Sequence, residues 1–117
     1  MYSIKVEAQF SSAHNLRGYK GKCEELHGHN WKVEAVVVKD RLDKAGMVMD
    51  FSAIKSRLRK LLEKLDHKHL NGLPYFKKVN PTSENIAKYI YDNLKIAGLE
   101  SVTVWESEKS SATYYGE

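Results

Sequence analysis

His27-Gly28-His29 places two imidazoles two residues apart at the head of a run rich in β-branched and aromatic residues. On a strand, residues two apart share a face, so both rings can reach one metal ion. His14 lies just past the end of an alternating segment, Ile4, Val6, Ala8 and Phe10, which can pair with that run and bring up a third imidazole. Three neutral nitrogens with an open fourth position form the donor set of a catalytic zinc. A structural zinc would close that position, and only Cys23, four residues before His27, is near enough in sequence to do so. Gly28 removes bulk where a ligand approaches. A strand-end role accounts for one histidine; for this arrangement of three a metal is the better reading.

Cys23 stands between Lys22 and Glu24, with Lys20 nearby. Cations and a metal both favour the thiolate, which serves as base or nucleophile. A fourth zinc ligand and a passive buried thiol are the alternatives. Asp66-His67 ends a helical pattern. An imidazole backed by a carboxylate works as general acid or base near neutral pH, although a histidine at a helix C-terminus is also a common structural feature. Glu106 follows the apolar Val102, Val104 and Trp105. A carboxylate there can hold a guanidine-like group through two parallel hydrogen bonds, or stand as an exposed strand-end charge.

The elements that must position these groups follow from periodicity. Residues 3–10 alternate as a half-buried strand, residues 11–26 read as a long polar loop, and Trp31–Val38 reads as a second strand. After a turn near Asp43–Gly46, Met47-Val48-Met49 reads as a short strand. Asp50 or Ser52 caps a helix with Ile54, Leu58, Leu61, Leu62 and Leu65 inward. A loop with Gly72 and Pro74 precedes a second helix, capped by Thr82, with Ile86, Tyr89, Ile90 and Leu94 inward and Gly98 as its stop. Val102–Trp105 and Ala112–Tyr115 are closing strands. The expected class is α+β, an antiparallel sheet with helices on one face.

Composition sets the bounds. A chain of 117 residues, 42% hydrophobic and 29% charged, fits one domain, here residues 1–117, small enough that an oligomer is expected. No apolar run approaches a membrane span, and the first residues carry no signal pattern. One cysteine makes no internal disulfide and suits a reducing cytoplasm. The net charge of +4 is scattered: Lys55, Arg57, Arg59, Lys60 and Lys64 fall between the apolar positions of a helix, as on a solvated face. No nucleic-acid or membrane partner is expected. Arg17, Lys20 and Lys22 form a smaller basic group suited to an anionic small molecule.

Taken together, Phe10-Ser-Ser-Ala-His14, Cys23-x-x-x-His27-Gly-His29, Asp50-Phe51, Leu65-Asp-His67-x-x-Leu-Asn71, Asn80-Pro-Thr-Ser-Glu84-Asn85, Val104-Trp-Glu106 and Gly116-Glu117 resemble the 6-pyruvoyltetrahydropterin synthase and 6-carboxytetrahydropterin synthase family. The resemblance implies the T-fold, or tunnelling fold. In that fold a four-stranded antiparallel sheet with two helices on one face joins its neighbours into a β-barrel, usually a trimer stacked into a hexamer. It implies one zinc per subunit on His14, His27 and His29, with Cys23 as catalytic base and Asp66 and His67 as its acid/base partners. Glu106 would anchor the pterin ring, with Thr82, Ser83 and Glu84 near it. Arg17, Lys20 and Lys22 would meet the triphosphate, which magnesium can accompany, because Asn15 and Tyr115 stand where relatives often carry basic residues.

The implied reaction turns 7,8-dihydroneopterin triphosphate into 6-carboxytetrahydropterin, acetaldehyde and triphosphate, an early step toward the 7-deazaguanosines of transfer RNA such as queuosine. In the animal branch only triphosphate leaves. Some relatives use a glutamate at the position of Glu24 as the base and release 6-hydroxymethyldihydropterin for folate synthesis. This chain carries both Cys23 and Glu24, which leaves dual activity open. A pterin- or metal-binding module without turnover is the non-enzyme alternative.

Overall fold

The computed structural model describes every residue except Tyr19, Lys20, Lys22, Cys23 and Glu117. Strands β1 (Tyr2–His14), β2 (His27–Lys39), β3 (Leu99–Trp105) and β4 (Ser111–Tyr115) form one antiparallel sheet in the order β1-β2-β3-β4. Between β2 and β3 in sequence come helix α1 (Phe51–Leu62), a 3-10 turn (Leu70–Gly72), and helices α2 (Pro74–Lys78) and α3 (Ser83–Leu94). Helix α1 packs on β1, and α3 packs on β3 and β4. The α+β class and the four-stranded sheet agree with the sequence reading. No helix among the described residues is long and apolar enough to cross a membrane.

Strand alternation decides which side chains enter the core. The even positions Val6 and Phe10 of β1, the odd positions Trp31, Val33, Ala35 and Val37 of β2, and Val102 and Val104 of β3 are all buried. They meet Ile54, Leu58, Leu61 and Leu62 of α1 and Ile86, Ile90 and Leu94 of α3. The register explains the match: Phe10 lies opposite Trp31, and Val104 opposite Val33. Cross-strand partners share a face.

Several boundaries differ from expectation, each for a local reason. Strand β1 runs on to His14, where a loop was expected from residue 11. Ser11 and Ser12 break the hydrophobic alternation but not the backbone ladder. The outer edge of β1 is also held there: Ser11 N–H donates to Asp66 Oδ1 (2.8 Å), His67 N–H to Ser11 O (2.6 Å), and Ala13 N–H to Lys68 O (3.0 Å). Met47-Val48-Met49 forms no strand. Asp43 closes this loop on itself, its carboxylate accepting from Ala45 N–H (2.9 Å) and Met47 N–H (3.0 Å), while Val48 alone of the three is buried.

Asp50, not Ser52, caps α1, accepting from Ser52 N–H at 2.8 Å. Thr82 caps α3, its hydroxyl accepting from Asn85 N–H at 3.1 Å. The stretch expected as a plain loop contains the 3-10 turn and α2, a five-residue helix opened by Pro74 and anchored by fully buried Phe76. Helix α3 stops earlier than Gly98, at Lys95 in the left-handed region (φ 56°). Gly98 has a different task. At φ 85° it lets β3 come back onto β2, where Val38 N–H donates to Gly98 O (2.9 Å) and a Cβ would stand 2.7 Å from Val38 O.

Candidate active site

The alternation that builds the core also builds the site. His14 and His29 continue the inward-facing positions of β1 and β2, as does His27, and the register sets His14 opposite His27 and Ser12 opposite His29. Glu106, one step beyond β3, has the even parity of Val102 and Val104 and so joins the same face. At this end of the sheet the core turns polar. Trp31, fully buried, forms its floor, with the rings of His14 and His29 edge-on to it at 4.8 and 5.0 Å.

The three imidazoles converge through their ε nitrogens. His14 Nε2 and His27 Nε2 are 2.9 Å apart, and the ligand atoms of His14, His27, His29 and Glu106 all lie within 4.8 Å of one another. The δ nitrogens of two rings face backbone carbonyls: His14 Nδ1–H donates to Pro81 O (2.7 Å) and His27 Nδ1–H to Glu25 O (2.7 Å). A nitrogen that faces a carbonyl must carry the proton, which leaves each Nε2 lone pair free, as in metal sites generally.

Burial holds the His14 imidazole below its ordinary pKa, with His27 and His29 adding to the effect and Pro81 and Glu106 opposing it. The same cause, burial, lowers His29. Both shifts favour the neutral form of the ring, the form that ligates a metal. His29 Nε2 is itself buried and has no hydrogen bond among the described residues. A buried nitrogen with no hydrogen bond, beside two nitrogens 2.9 Å apart, fits a cation at the centre. Imidazole nitrogens with one carboxylate oxygen are zinc donors by type.

Gly28 lies on the opposite face, and a Cβ there would make only ordinary contact with Ser12 O at 3.9 Å. It gives no clearance to a ligand, contrary to the expectation from H-G-H.

Asp66 and His67 form the expected pair, with His67 Nδ1 2.9 Å from Asp66 Oδ2. They sit on the outer edge of β1, bonded to Ser11, and His67 is 82% exposed in the left-handed region (φ 54°). That conformation costs about 1–3 kcal/mol in a non-glycine residue, and the Ser11 O and Asp66 contacts hold it. The Ser11 N–H foremost, then His67, lowers the Asp66 pKa and so favours the charged carboxylate.

Thr82 and Ser83 follow directly on Pro81, whose carbonyl fixes His14, and Glu84 is exposed in the first turn of α3. Arg17 uses Nη2 on the carbonyls of Phe76 (2.6 Å) and Val79 (2.9 Å), a cap on the end of α2. Glu24 is exposed. Cys23, Lys20 and Lys22 lie outside the described residues.

Two asparagines escaped the sequence reading. Asn71 accepts from Asn15 N–H (3.0 Å) and donates to Asn15 O (2.8 Å). Asn80 does the same with Arg17, at 2.9 Å both ways. Each amide exchanges both of its hydrogen bonds with one backbone unit, as a strand partner would, and so fixes the chain where it leaves β1. Their positions in L-D-H-x-x-L-N and N-P-T-S-E-N were the available signal.

The family model for 6-pyruvoyl tetrahydropterin synthase matches residues 3–117. The chain belongs to this family. Within the family it is 41% identical to a 6-carboxy-5,6,7,8-tetrahydropterin synthase of Synechocystis, across 98% of this chain and 94% of that one. It is 40% identical to the human 6-pyruvoyl tetrahydrobiopterin synthase, across 92% of this chain and 79% of the human one. The solved 6-pyruvoyl tetrahydropterin synthase of Caenorhabditis elegans superposes with a TM-score of 0.89 at 30% identity, covering 99% of this chain and 96% of that one. Family membership and the four-residue cluster together mark a pterin synthase fold with a metal-binding site.

Proposed function

We propose that this family member is a zinc-dependent 6-carboxy-5,6,7,8-tetrahydropterin synthase, a lyase acting on 7,8-dihydroneopterin triphosphate. The observation that carries the reading is the 41% identity to an enzyme of that name, end to end in both chains. The human pyruvoyl-forming relative, nearly as similar, has about a fifth of its length unmatched. The converging ε nitrogens supply the required metal site.

In this reading His14, His27 and His29 hold zinc, which when bound supplies Lewis-acid polarisation. Glu106 recognises the pterin ring, and Thr82, Ser83 and Glu84 stand beside it. The Cys23 thiolate takes a proton from the substrate side chain, and His67, oriented by Asp66, delivers or accepts another. Arg17, Lys20 and Lys22 meet the triphosphate, with magnesium as its counterion. The chains assemble edge to edge into a barrel, because the outer amides of β1 from Tyr2 to Gln9 have no strand partner among the described residues.

Mass spectrometry of the products from dihydroneopterin triphosphate tests this. A carboxypterin with acetaldehyde is expected. A pyruvoyl or hydroxymethyl product would replace the assignment with another branch. Cys23→Ala should abolish turnover while zinc stays near one per chain; loss of zinc would make Cys23 a ligand instead of the base.

A further inference from the structure

Within the cluster, Glu106 brings one oxygen within 4.0 Å of all three imidazole ε nitrogens. Its Oε1 is 2.9 Å from His29 Nε2, 3.4 Å from His14 Nε2 and 4.0 Å from His27 Nε2, against 2.9 Å between His14 and His27. Donors bound to zinc at about 2.0–2.1 Å lie roughly 3.3–3.4 Å apart along the edges of a tetrahedron, and these separations bracket that value. The contact with His29 lacks hydrogen-bond geometry, since His29 Nε2 has no such partner among the described residues despite an oxygen at 2.9 Å. The oxygen therefore stands beside the ring's lone-pair direction, as two ligands of one ion stand to each other.

The Glu106 side chain is 32% exposed, enough to swing out of the cluster. Holding a pterin takes both carboxylate oxygens in the plane of the ring's N–H and amine. Holding a metal turns one of those oxygens inward. The two engagements exclude each other.

We propose that Glu106 is the fourth protein donor to the metal in the pterin-free chain and leaves it to bind the ring, so that ring recognition itself opens the coordination position. The inference rests on the zinc and pterin reading of the site given above. A closed ion is shielded from adventitious anions until the correct heterocycle arrives, which ties selectivity to reactivity at one side chain.

The full chain, loaded with zinc or with cobalt(II), provides the test. Competition with a chromophoric chelator should show zinc weakened on the order of 1,000-fold in Glu106→Gln, above the range of about 10–100-fold for outer-shell partners. Glu108→Gln, the same charge change at an exposed carboxylate two residues on, should stay within about twofold of wild type. Water-proton relaxation gives a second readout. Cobalt in the wild type should hold no exchangeable water until 6-methylpterin, a pterin without side-chain hydroxyls, is added to saturation, whereas cobalt in Glu106→Gln should relax water from the start. The proposal is overturned if Glu106→Gln binds zinc as the wild type does, if both glutamine variants weaken alike, or if wild-type cobalt relaxes water equally with and without the pterin. A wild-type chain that takes up neither metal would bring down the zinc reading as well.

Discussion

Asp66 shows how one residue serves two sides of a structure. One oxygen accepts from the Ser11 backbone, tying the segment after α1 to the edge of β1, and the other meets His67. Because its pKa is lowered, the charged carboxylate stabilises the fold above the unfolded value of about 3.9, and that contribution is lost as pH falls through the lower folded value. Asp66→Asn should therefore lower the urea midpoint by a constant amount above about pH 4, with the gap to wild type narrowing below it. A gap independent of pH would mean that the charge contributes nothing. At this scale the sequence was informative where side chains act: H-x-H with His14 named the imidazoles, and D-H named the pair. It was silent where the backbone acts. The carbonyls of Pro81 and Glu25, which set the tautomers of His14 and His27, leave no trace in residue type. The nearness of Glu106 to the histidines was encoded only in its parity with Val102 and Val104, a signal that needs the strand register to be read.

Among the elements, the long amphipathic helices and the core strands were legible because their periodicity is sustained over many residues. Helix α2 was not, since five residues with one buried side chain carry no periodicity. The end of β1 was misread for a related reason: its last inward-facing positions are Ser12 and His14, whose polarity breaks the pattern that marks a strand. Gly98 looked like a helix stop because glycine is common there, yet its conformation serves the junction of β3 with β2. Gly98→Ala combines φ 85° with a Cβ 2.7 Å from Val38 O, and should cost about 2 kcal/mol or more. Urea denaturation reads this directly; an unchanged midpoint would show that the junction relaxes freely.

For the whole molecule, the fold supplies two strand edges that face outward, those of β1 and β4. Outward-pointing amides on β1 fall at odd positions, as Ser11 and Ala13 show by bonding to Asp66 and Lys68. Glu7 shares that parity and has no strand partner on its outer side among the described residues. Glu7→Pro removes one edge donor without touching the ladder to β2. By sedimentation it should shift the chain from an oligomer toward monomers while the circular dichroism stays native. An oligomer of unchanged mass would place the contact elsewhere.

The continuity of core and site along one strand face has a further consequence, for insertions and deletions. Removing one residue between Phe10 and His14, or removing Asn30 between His29 and Trp31, would leave the apolar packing in place and turn the imidazoles of that strand through to the opposite side of the sheet. On β1, where three residues separate Phe10 from His14, removing two would restore the direction of His14. The ends of these two strands therefore tolerate length changes only in even steps, a counting rule that no solvent-facing loop of the chain has to obey.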